Sequence, residues 1–140
     1  MGRSEPGSLR PRLVLDTGAL IALERDDRRV FEHLVTAARR GYVVVVPILV
    51  VMEAERAARD RVRLDRILAR IDEQLPLLPA MGRQVAALRR ASGVESDADV
   101  VVVLEALAVP GSRILTGDAR DIVAILDAAG AVGRVPVLRV

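Results

Sequence analysis

The sequence contains no cysteine, no lysine and no tryptophan, and its 140 residues include one histidine. Without cysteine, disulfide bonds, zinc-thiolate sites and thiol catalysis are excluded. The single histidine, His33, falls on the outer part of a predicted helix, which argues against a serine-histidine-aspartate triad or a histidine metal site. The chemistry open to the chain therefore depends on carboxylates, hydroxyl groups and arginine, which accounts for all 21 basic residues.

Aromatic residues make up only 1% of the chain, whereas hydrophobic residues make up 51%. The core must therefore consist of valine, leucine, isoleucine and alanine. The length is typical of one domain, and the net charge of +2 is too small for a basic nucleic-acid coat. The apolar runs are too short to span a bilayer, and the N-terminal segment lacks the apolar core of a signal peptide. We therefore expect a cytoplasmic protein that does not associate with a membrane.

The chain divides into a short polar leader and one domain. We interpret residues 1–12, with Pro6, Gly7 and Pro11, as a flexible leader, and residues 13–140 as a single domain. Within the domain, apolar runs alternate with amphipathic helical patterns, which predicts an α/β fold with a mostly parallel sheet. The expected strands are 13–15, 42–46, 75–78, 112–116 and 135–140, the last at an edge because Pro136 cannot donate to a ladder. The expected helices are 19–24, 27–40, 48–59, 62–72, 81–91, 96–108 and 118–129.

Two of the predicted strands lead directly into a carboxylate. The run Leu13 to Leu15 is followed by Asp16, and the run that ends at Leu115 continues through Thr116 and Gly117 to Asp118. Ligands of open α/β sheets bind outside the carboxyl ends of the strands. We therefore expect Asp16 and Asp118 to share one site, although either residue could instead cap the helix that follows it.

Further acids lie on predicted helices. Glu53 shares a helix face with Leu49 and Val50, so we expect it to be buried. A buried carboxylate needs protonation, a metal or a paired cation, for which Arg56 is the available candidate. Asp121 follows Asp118 at the spacing of a cap and a third helical position, which also has a purely structural interpretation.

Asp97 and Asp99 stand together at the start of another helix, after Ser96. The spacing from Ser96 to Asp99 is that of a capping box, so both acids could serve helix initiation alone. Asp99, however, shares a helical face with Val102 and Val103 and can therefore lie at the rim of the buried side. This pattern favours Asp99 over Asp97 as a site residue and leaves the choice open.

Taken in order, these segments resemble the PIN-domain ribonucleases, and the size of the chain resembles toxins of the VapC type. The resemblance covers nearly the whole chain after residue 12. It depends on Val14-Leu15-Asp16-Thr17, on Glu53 in the helix after Pro47, on Asp99 in an alanine- and valine-rich helix, and on Leu115-Thr116-Gly117-Asp118. It implies a three-layer α/β/α sandwich that binds Mg²⁺ or Mn²⁺ and cleaves single-stranded or structured RNA.

The resemblance also assigns roles to individual residues. Asp16, Glu53, Asp99 and Asp118 match the acidic quartet of the family, and Asp121 matches an acid that many members carry. Thr17 and Thr116 match small hydroxyl residues beside the first and last acids. The sequence departs from the family pattern where Asp97 and Asp99 compete for one position, which leaves the third ligand undecided. A homodimer and a small VapB-like antitoxin, with a disordered tail that folds on binding, are further implications.

The chemistry of the acids agrees with that assignment. Oxygen ligands without histidine or cysteine suit Mg²⁺ or Mn²⁺ rather than zinc. A metal held by clustered carboxylates can generate a nucleophile and neutralise charge on phosphate oxygens. Arginines on the early helices could bind phosphates or simply face solvent; they are Arg25, Arg28, Arg29, Arg39 and Arg40.

Other parallel α/β proteins with acids at strand ends fit less well. A phospho-acceptor receiver domain requires a late lysine, and the chain has none. A phosphatase of the haloacid-dehalogenase type requires a second aspartate two residues after Asp16, where Gly18 stands. A non-catalytic PIN-like module that binds RNA or protein, with its acids serving as helix caps, remains the alternative to a nuclease.

Overall fold

The computed structural model describes residues 9–140. This part of the chain contains five strands and seven helices. The strands are β1 (Arg12–Leu15), β2 (Val43–Pro47), β3 (Glu73–Leu75), β4 (Arg113–Thr116) and β5 (Val137–Arg139). The helices are α1 (Thr17–Glu24), α2 (Arg28–Arg39), α3 (Ile48–Ala57), α4 (Arg61–Leu68), α5 (Met81–Ser92), α6 (Asp97–Ala108) and α7 (Ala119–Ala128).

All five strands form one parallel sheet in the order β3-β2-β1-β4-β5. The central strand β1 pairs with β2 on one side and β4 on the other, so that Val14 lies between Val45 and Ile114. From β1 the chain builds outward to β2 and β3, and it then returns to add β4 and β5 on the opposite side. The direction of winding therefore changes between β1 and β4, where parallel sheets open a crevice for ligands.

Helices cover both faces of the sheet. α6 packs against β1, β2 and β4 and also contacts α5 and α7. α2 packs against β2, and α1 contacts α2, α3 and α4. The centre of the sheet is wholly aliphatic, with Val14, Val45 and Ile114 fully buried. The predicted three-layer α/β/α sandwich is confirmed.

The strand β3 starts and ends earlier than the sequence predicts, at 73–75 rather than 75–78. Asp72 explains the shift, because its backbone N–H donates to Val44 O at 3.1 Å and its Oδ2 accepts from Val44 N at 2.8 Å. This contact with β2 ends the preceding helix four residues before the predicted boundary and starts the strand early. Leu77 and Leu78, which suggested the later strand, are exposed.

At its N-terminal end the sheet begins at Arg12, the last residue of the predicted leader. Just before β1, Pro11 O accepts from Val43 N at 2.9 Å, and Arg10 Nε donates to Gly41 O at 2.9 Å. The rest of the predicted leader, residues 1–8, lies outside the described residues. Between residues 9 and 140, no helix has the length and apolar character needed to cross a bilayer.

Candidate active site

Asp16 lies at the carboxyl end of β1 with 2% of its surface exposed. It caps α1, since its Oδ1 accepts from Ala19 N at 2.9 Å, and the same oxygen accepts from Gly117 N at 3.1 Å. Its Oδ2 accepts from the hydroxyl of Thr116. Burial raises the pKa of Asp16, and these three hydrogen bonds lower it in part. The capping and functional interpretations of Asp16 are therefore compatible, because Oδ2 retains a free acceptor position.

The start of α1 and the loop after β4 approach each other closely. A Cβ atom on Gly18 would lie 2.8 Å from Gly117 Cα, so only glycine fits without a shift of the backbone. This contact allows Gly117 N to reach Asp16. The contact between the two glycines was not predicted from the sequence. The available signal was a glycine within two residues of each strand-end acid.

Thr116 connects the first acid to the last. While its hydroxyl donates to Asp16 Oδ2, its oxygen accepts from Asp118 N at 2.8 Å. Asp118 occupies the N-cap position of α7, yet its side chain makes no capping hydrogen bond and is exposed. The carboxylate of Asp118 is thus not committed to helix initiation, which favours the functional interpretation over the structural one.

Glu53 is exposed, and the prediction that it is buried on the apolar face of α3 was wrong. Val50 and Ala54, one turn apart, form the buried face, and Glu53 lies at its margin. Its Oε1 accepts from the Thr17 hydroxyl at 2.5 Å rather than pairing with Arg56. Thr17 directly follows Asp16, so this hydrogen bond brings Glu53 toward the strand-end acids.

Asp97 and Asp99 have different surroundings. Asp97 is exposed and pairs with Arg89 of α5, with 3.3 Å between Oδ1 and Nη1. Asp99 lies two residues further into α6 and is half-buried, and its N–H donates to the Ser96 hydroxyl at 3.2 Å. The capping interaction at this helix is therefore made by Ser96, and the carboxylate of Asp99 is not needed for it.

The negative charges of the other site acids act on the carboxylate of Asp99. The pKa of Asp99 is raised to about 7, mainly by burial and then by the negative charges of the other acids. In order of importance these are Asp16, Glu53, Asp121 and Asp118. Asp97 is not among these causes. The structure thus brings together the four acids of the predicted quartet and Asp121 and places Asp97 on the outside.

These acids fit a hard divalent cation by their chemistry, because all are oxygen donors and their mutual repulsion favours a positive charge between them. Within residues 9–140, no three acidic or histidine side chains stand at metal-ligand spacing. Hydroxyl groups account for part of this, since Thr116 holds Asp16 and Thr17 holds Glu53. A metal would be held by Asp16, Asp99 and Asp118, with Glu53 and Asp121 at the edge of the site.

The arginines that the sequence suggested for phosphate binding lie away from the acids. Arg25 follows the C-terminus of α1, about 13 Å along the helix from its cap Asp16. Arg29 pairs with Asp27, with 2.9 Å between Nη2 and Oδ2, and its hydrogen bonds hold the pKa of Asp27 below its ordinary value. Arg28 is exposed at the start of α2. Among the described residues, these three form no ion pair with the site acids.

Two other arginines, Arg120 and Arg139, lie next to the site. They line a groove of about 490 Å³ that begins at Thr116 and Asp118 and runs between α7 and the end of β5. Neither residue was predicted from the sequence. With arginine distributed along the whole chain, only the pairing of β5 with β4 brings Arg139 beside Thr116.

The chain matches no protein-family model, and a comparison with curated proteins gives no match either. The acids at the carboxyl edge of the sheet, and the topology that brings them together, are therefore the features that bear on its function.

Proposed function

We propose that this protein is a divalent-metal-dependent ribonuclease of the PIN type. The observation that carries the proposal is the convergence of four acids on Asp99, whose charges add to the effect of burial and help to raise the pKa of that residue to about 7. Such a concentration of like charge is unfavourable for folding and is typical of sites that bind a cation or perform acid-base chemistry. Its place beside the change of winding direction, at the carboxyl ends of β1 and β4, is where α/β proteins bind ligands.

Each residue has a definite part in this proposal. Asp16 is held rigidly by three donors and presents Oδ2, while Asp118 and Asp99 supply carboxylates that no helix cap requires. Glu53, positioned by Thr17, completes the acidic edge. When bound, Mg²⁺ or Mn²⁺ supplies Lewis-acid activation of the phosphodiester and neutralises its charge. The protein contributes by orienting these oxygens before the substrate arrives.

A cleavage assay on a labelled single-stranded RNA tests the proposal. Wild-type protein should cleave in Mg²⁺ or Mn²⁺ and stop in excess EDTA, and Asp16→Asn should abolish cleavage. Asp97→Asn is the matched control, because Asp97 faces Arg89 and should leave cleavage intact. Persistence of wild-type cleavage in excess EDTA would contradict the metal requirement, and an active Asp16→Asn variant would contradict the site.

A non-catalytic binding module is the second candidate. It is favoured by the capping hydrogen bond from Ala19 N to Asp16 and by the absence, within residues 9–140, of three acids at metal-ligand spacing. This module would bind RNA or a protein without cleaving RNA in either metal. Asp16→Asn would then change stability through the helix cap and have no activity to abolish.

The toxin-like size of the chain extends the proposal to a cytoplasmic toxin-antitoxin pair and a homodimer. Exposed apolar side chains on α3 and α4 support a subunit interface, since Met52 is 58% and Val62 is 62% exposed. Light scattering at micromolar concentration should give the mass of a dimer, and Val62→Glu should reduce it. Val132→Glu, at an equally exposed position outside the helices, is the control. A monomer mass for wild-type protein would refute the dimer.

A small VapB-like antitoxin would inhibit the enzyme by inserting an arginine among the site acids. Such a contact depends on ionised carboxylates and would compete with metal. We therefore expect the affinity of the inhibitor to fall as Mg²⁺ increases at fixed ionic strength, which separates competition from screening. Unchanged affinity across that titration would place the inhibitor on another surface.

A further inference from the structure

Two grooves lead away from the candidate active site, and they differ in charge. The first, here called the arginine groove, starts at Thr116 and Asp118 and is flanked by Arg120 and Arg139, with Val123 between the charges. The second, here called the acidic groove, starts at Glu53 and has a volume of about 660 Å³. Its charged lining residues are Glu53, Glu55, Glu95, Asp97 and Arg56.

The two guanidinium groups of the arginine groove are available to a ligand. Both side chains are exposed, and neither forms an ion pair or a side-chain hydrogen bond with the part of the protein that the structure describes. By contrast, Arg89 is engaged by Asp97 and Arg63 by Asp26. Free guanidinium groups bind phosphate in a bidentate manner, which makes arginine the preferred residue for phosphate contacts.

The acidic groove cannot serve the same purpose. Four carboxylates line it, and Arg56 is the one basic residue among its described lining residues. The charge of Asp97 is partly balanced by Arg89, whereas Glu55 and Glu95 have no ion-pair partner within residues 9–140. A phosphodiester chain in this groove would meet like charge along its path, and such repulsion opposes binding.

Neither groove offers an aromatic surface on which bases could stack. Among the lining residues of the arginine groove, the exposed large apolar side chain is Val123, which is 40% exposed. A nucleic acid in the arginine groove would be contacted through its phosphates, because guanidinium groups bind phosphates whereas aromatic side chains stack on bases. A strand held this way is positioned without regard to its sequence.

We propose that single-stranded RNA leaves the candidate active site along the arginine groove, where Arg120 and Arg139 bind its phosphates. This inference rests on the proposed ribonuclease function. Arg139 lies beside Thr116 in the register of β4 and β5, and Arg120 stands two residues after Asp118 in the chain. The two guanidinium groups thus lie on one side of the acids. They hold the RNA next to the reacting phosphate and set the direction in which the RNA leaves the site.

Fluorescence anisotropy with a fluorescein-labelled oligouridine, in EDTA to prevent cleavage, tests this inference on the full chain. Arg120→Gln and Arg139→Gln should each weaken binding about fivefold. Each should also reduce the slope of log Kd against log salt by about 0.7, the value for one phosphate contact on a single strand. Unchanged melting temperatures would confirm that these exposed substitutions leave the fold intact.

Arg134→Gln is the matched control, because Arg134 is exposed and lies beside Gly111 and Ser112, before β4 begins. It makes the same change in net charge at the opposite end of the strand. Equal losses in all three variants, or no loss in the Arg120 and Arg139 variants, would overturn the inference. Tighter binding by Glu95→Gln together with an unchanged Arg120→Gln would assign the strand to the acidic groove instead.

The binding and cleavage assays can contradict the groove and the nuclease separately. Loss of affinity in the two groove variants without metal-dependent cleavage by wild-type protein would support the groove and contradict the nuclease. Wild-type cleavage that both substitutions leave unchanged in KM and in salt dependence would support the nuclease and contradict the groove. A wild-type chain that does not bind the oligouridine contradicts the groove whatever its cleavage of other RNA.

Discussion

Gly18 and Gly117 pack backbone against backbone where the first and fourth strands end. A Cβ atom on Gly18 would lie 2.8 Å from Gly117 Cα, and one on Gly117 would lie 2.9 Å from Gly18 Cα. Strand pairing alone sets β1 and β4 side by side, but this contact joins the start of α1 to the loop after β4. It thereby fixes the hydrogen bond that Gly117 N–H donates to Asp16 Oδ1, and the position of Asp118 at the N-cap of α7.

Gly18→Ala should therefore push the start of α1 away from the loop that contains Gly117. We expect a loss of about 1–3 kcal/mol in the free energy of unfolding, as for other overpacked contacts, and a larger proportional loss of cleavage. The contact is with backbone, which cannot move aside as a flexible side chain can. Urea unfolding and the RNA cleavage assay measure the two effects.

Gly82→Ala is the matched control for this substitution. Gly82 also lies in a helix, and no atom lies within 4 Å of the Cβ that alanine would add. Alanine should stabilise α5 by about 0.5–1 kcal/mol through its helix propensity and leave cleavage unchanged. If Gly18→Ala behaves in the same way, the contact with Gly117 does not position the acids.

The raised pKa of Asp99 predicts a specific dependence of stability on pH. Its pKa is about 7 in the folded protein and 3.8 ordinarily, so the folded state keeps a proton that the unfolded state has released. Stability therefore falls as pH rises from about 4 to about 7 and stays low above that range. Asp99→Asn removes the ionisable group and with it this loss of stability at higher pH. After allowance for solvent screening, the variant should gain about 1–2 kcal/mol relative to wild type between about pH 5 and about pH 8.

Asp97→Asn provides the comparison, since its carboxylate is exposed and pairs with Arg89 on the outside of the site. This variant keeps the half-buried carboxylate of Asp99, so it should not show the gain expected of Asp99→Asn. Urea unfolding at each pH, in metal-free buffer, measures both differences. A difference for Asp99→Asn that does not change with pH would show that neither burial nor the charges of the other acids act on its carboxylate.

Metal binding should follow the same division between the two aspartates. Calorimetric titration with Mg²⁺ should give weaker binding for Asp99→Asn and nearly wild-type binding for Asp97→Asn, because Asp99 lies in the field of Asp16 and Glu53 whereas Asp97 pairs with Arg89. Since a ligand that binds the folded state stabilises it, Mg²⁺ should also raise the melting temperature of the Asp97 variant more than that of the Asp99 variant. The opposite ranking would assign the third acid to Asp97.

Local patterns were sufficient for most of the fold. Apolar runs and helix caps located the elements, and acids directly after two strands indicated the candidate site, because parallel strands end at a common edge. Helical periodicity favoured Asp99 over Asp97 and left the choice open; in the structure Asp99 is half-buried and Asp97 pairs with Arg89. Glu53 was the exception, because it stands at the margin of the apolar face, where periodicity does not separate buried from exposed positions.

What the sequence left undecided depends on contacts between distant segments. The early start of β3 results from the pairing of Asp72 with Val44, and the short α4 follows from it. The approach of Gly18 to Gly117 joins residues about a hundred positions apart in the chain. Arg139 reaches the site only through the register of β5 against β4. Local patterns do not specify such contacts, and in a chain whose basic residues are all arginine nothing local distinguishes Arg139 from the others.

Thr116 should act as a positioning residue for both strand-end acids. Its buried hydroxyl donates to Asp16 Oδ2 and accepts from Asp118 N. Thr116→Val keeps the shape of the side chain and removes both hydrogen bonds, at a cost of about 1–3 kcal/mol in the free energy of unfolding. The hydrogen bond from Thr116 lowers the pKa of Asp16, so its loss should raise that pKa further.

Because Asp16 must be ionised to attract a cation, the rising limb of the pH profile of cleavage should move to higher pH in Thr116→Val. Activity should then recover in part at alkaline pH. Thr116→Ser keeps the hydroxyl and loses only a methyl group, which costs about 1 kcal/mol of stability in a buried position. Its pH profile should match that of wild type even though the protein is less stable. A loss of activity in Thr116→Val that is equal at every pH would mean that the hydroxyl supports the fold alone and does not tune Asp16.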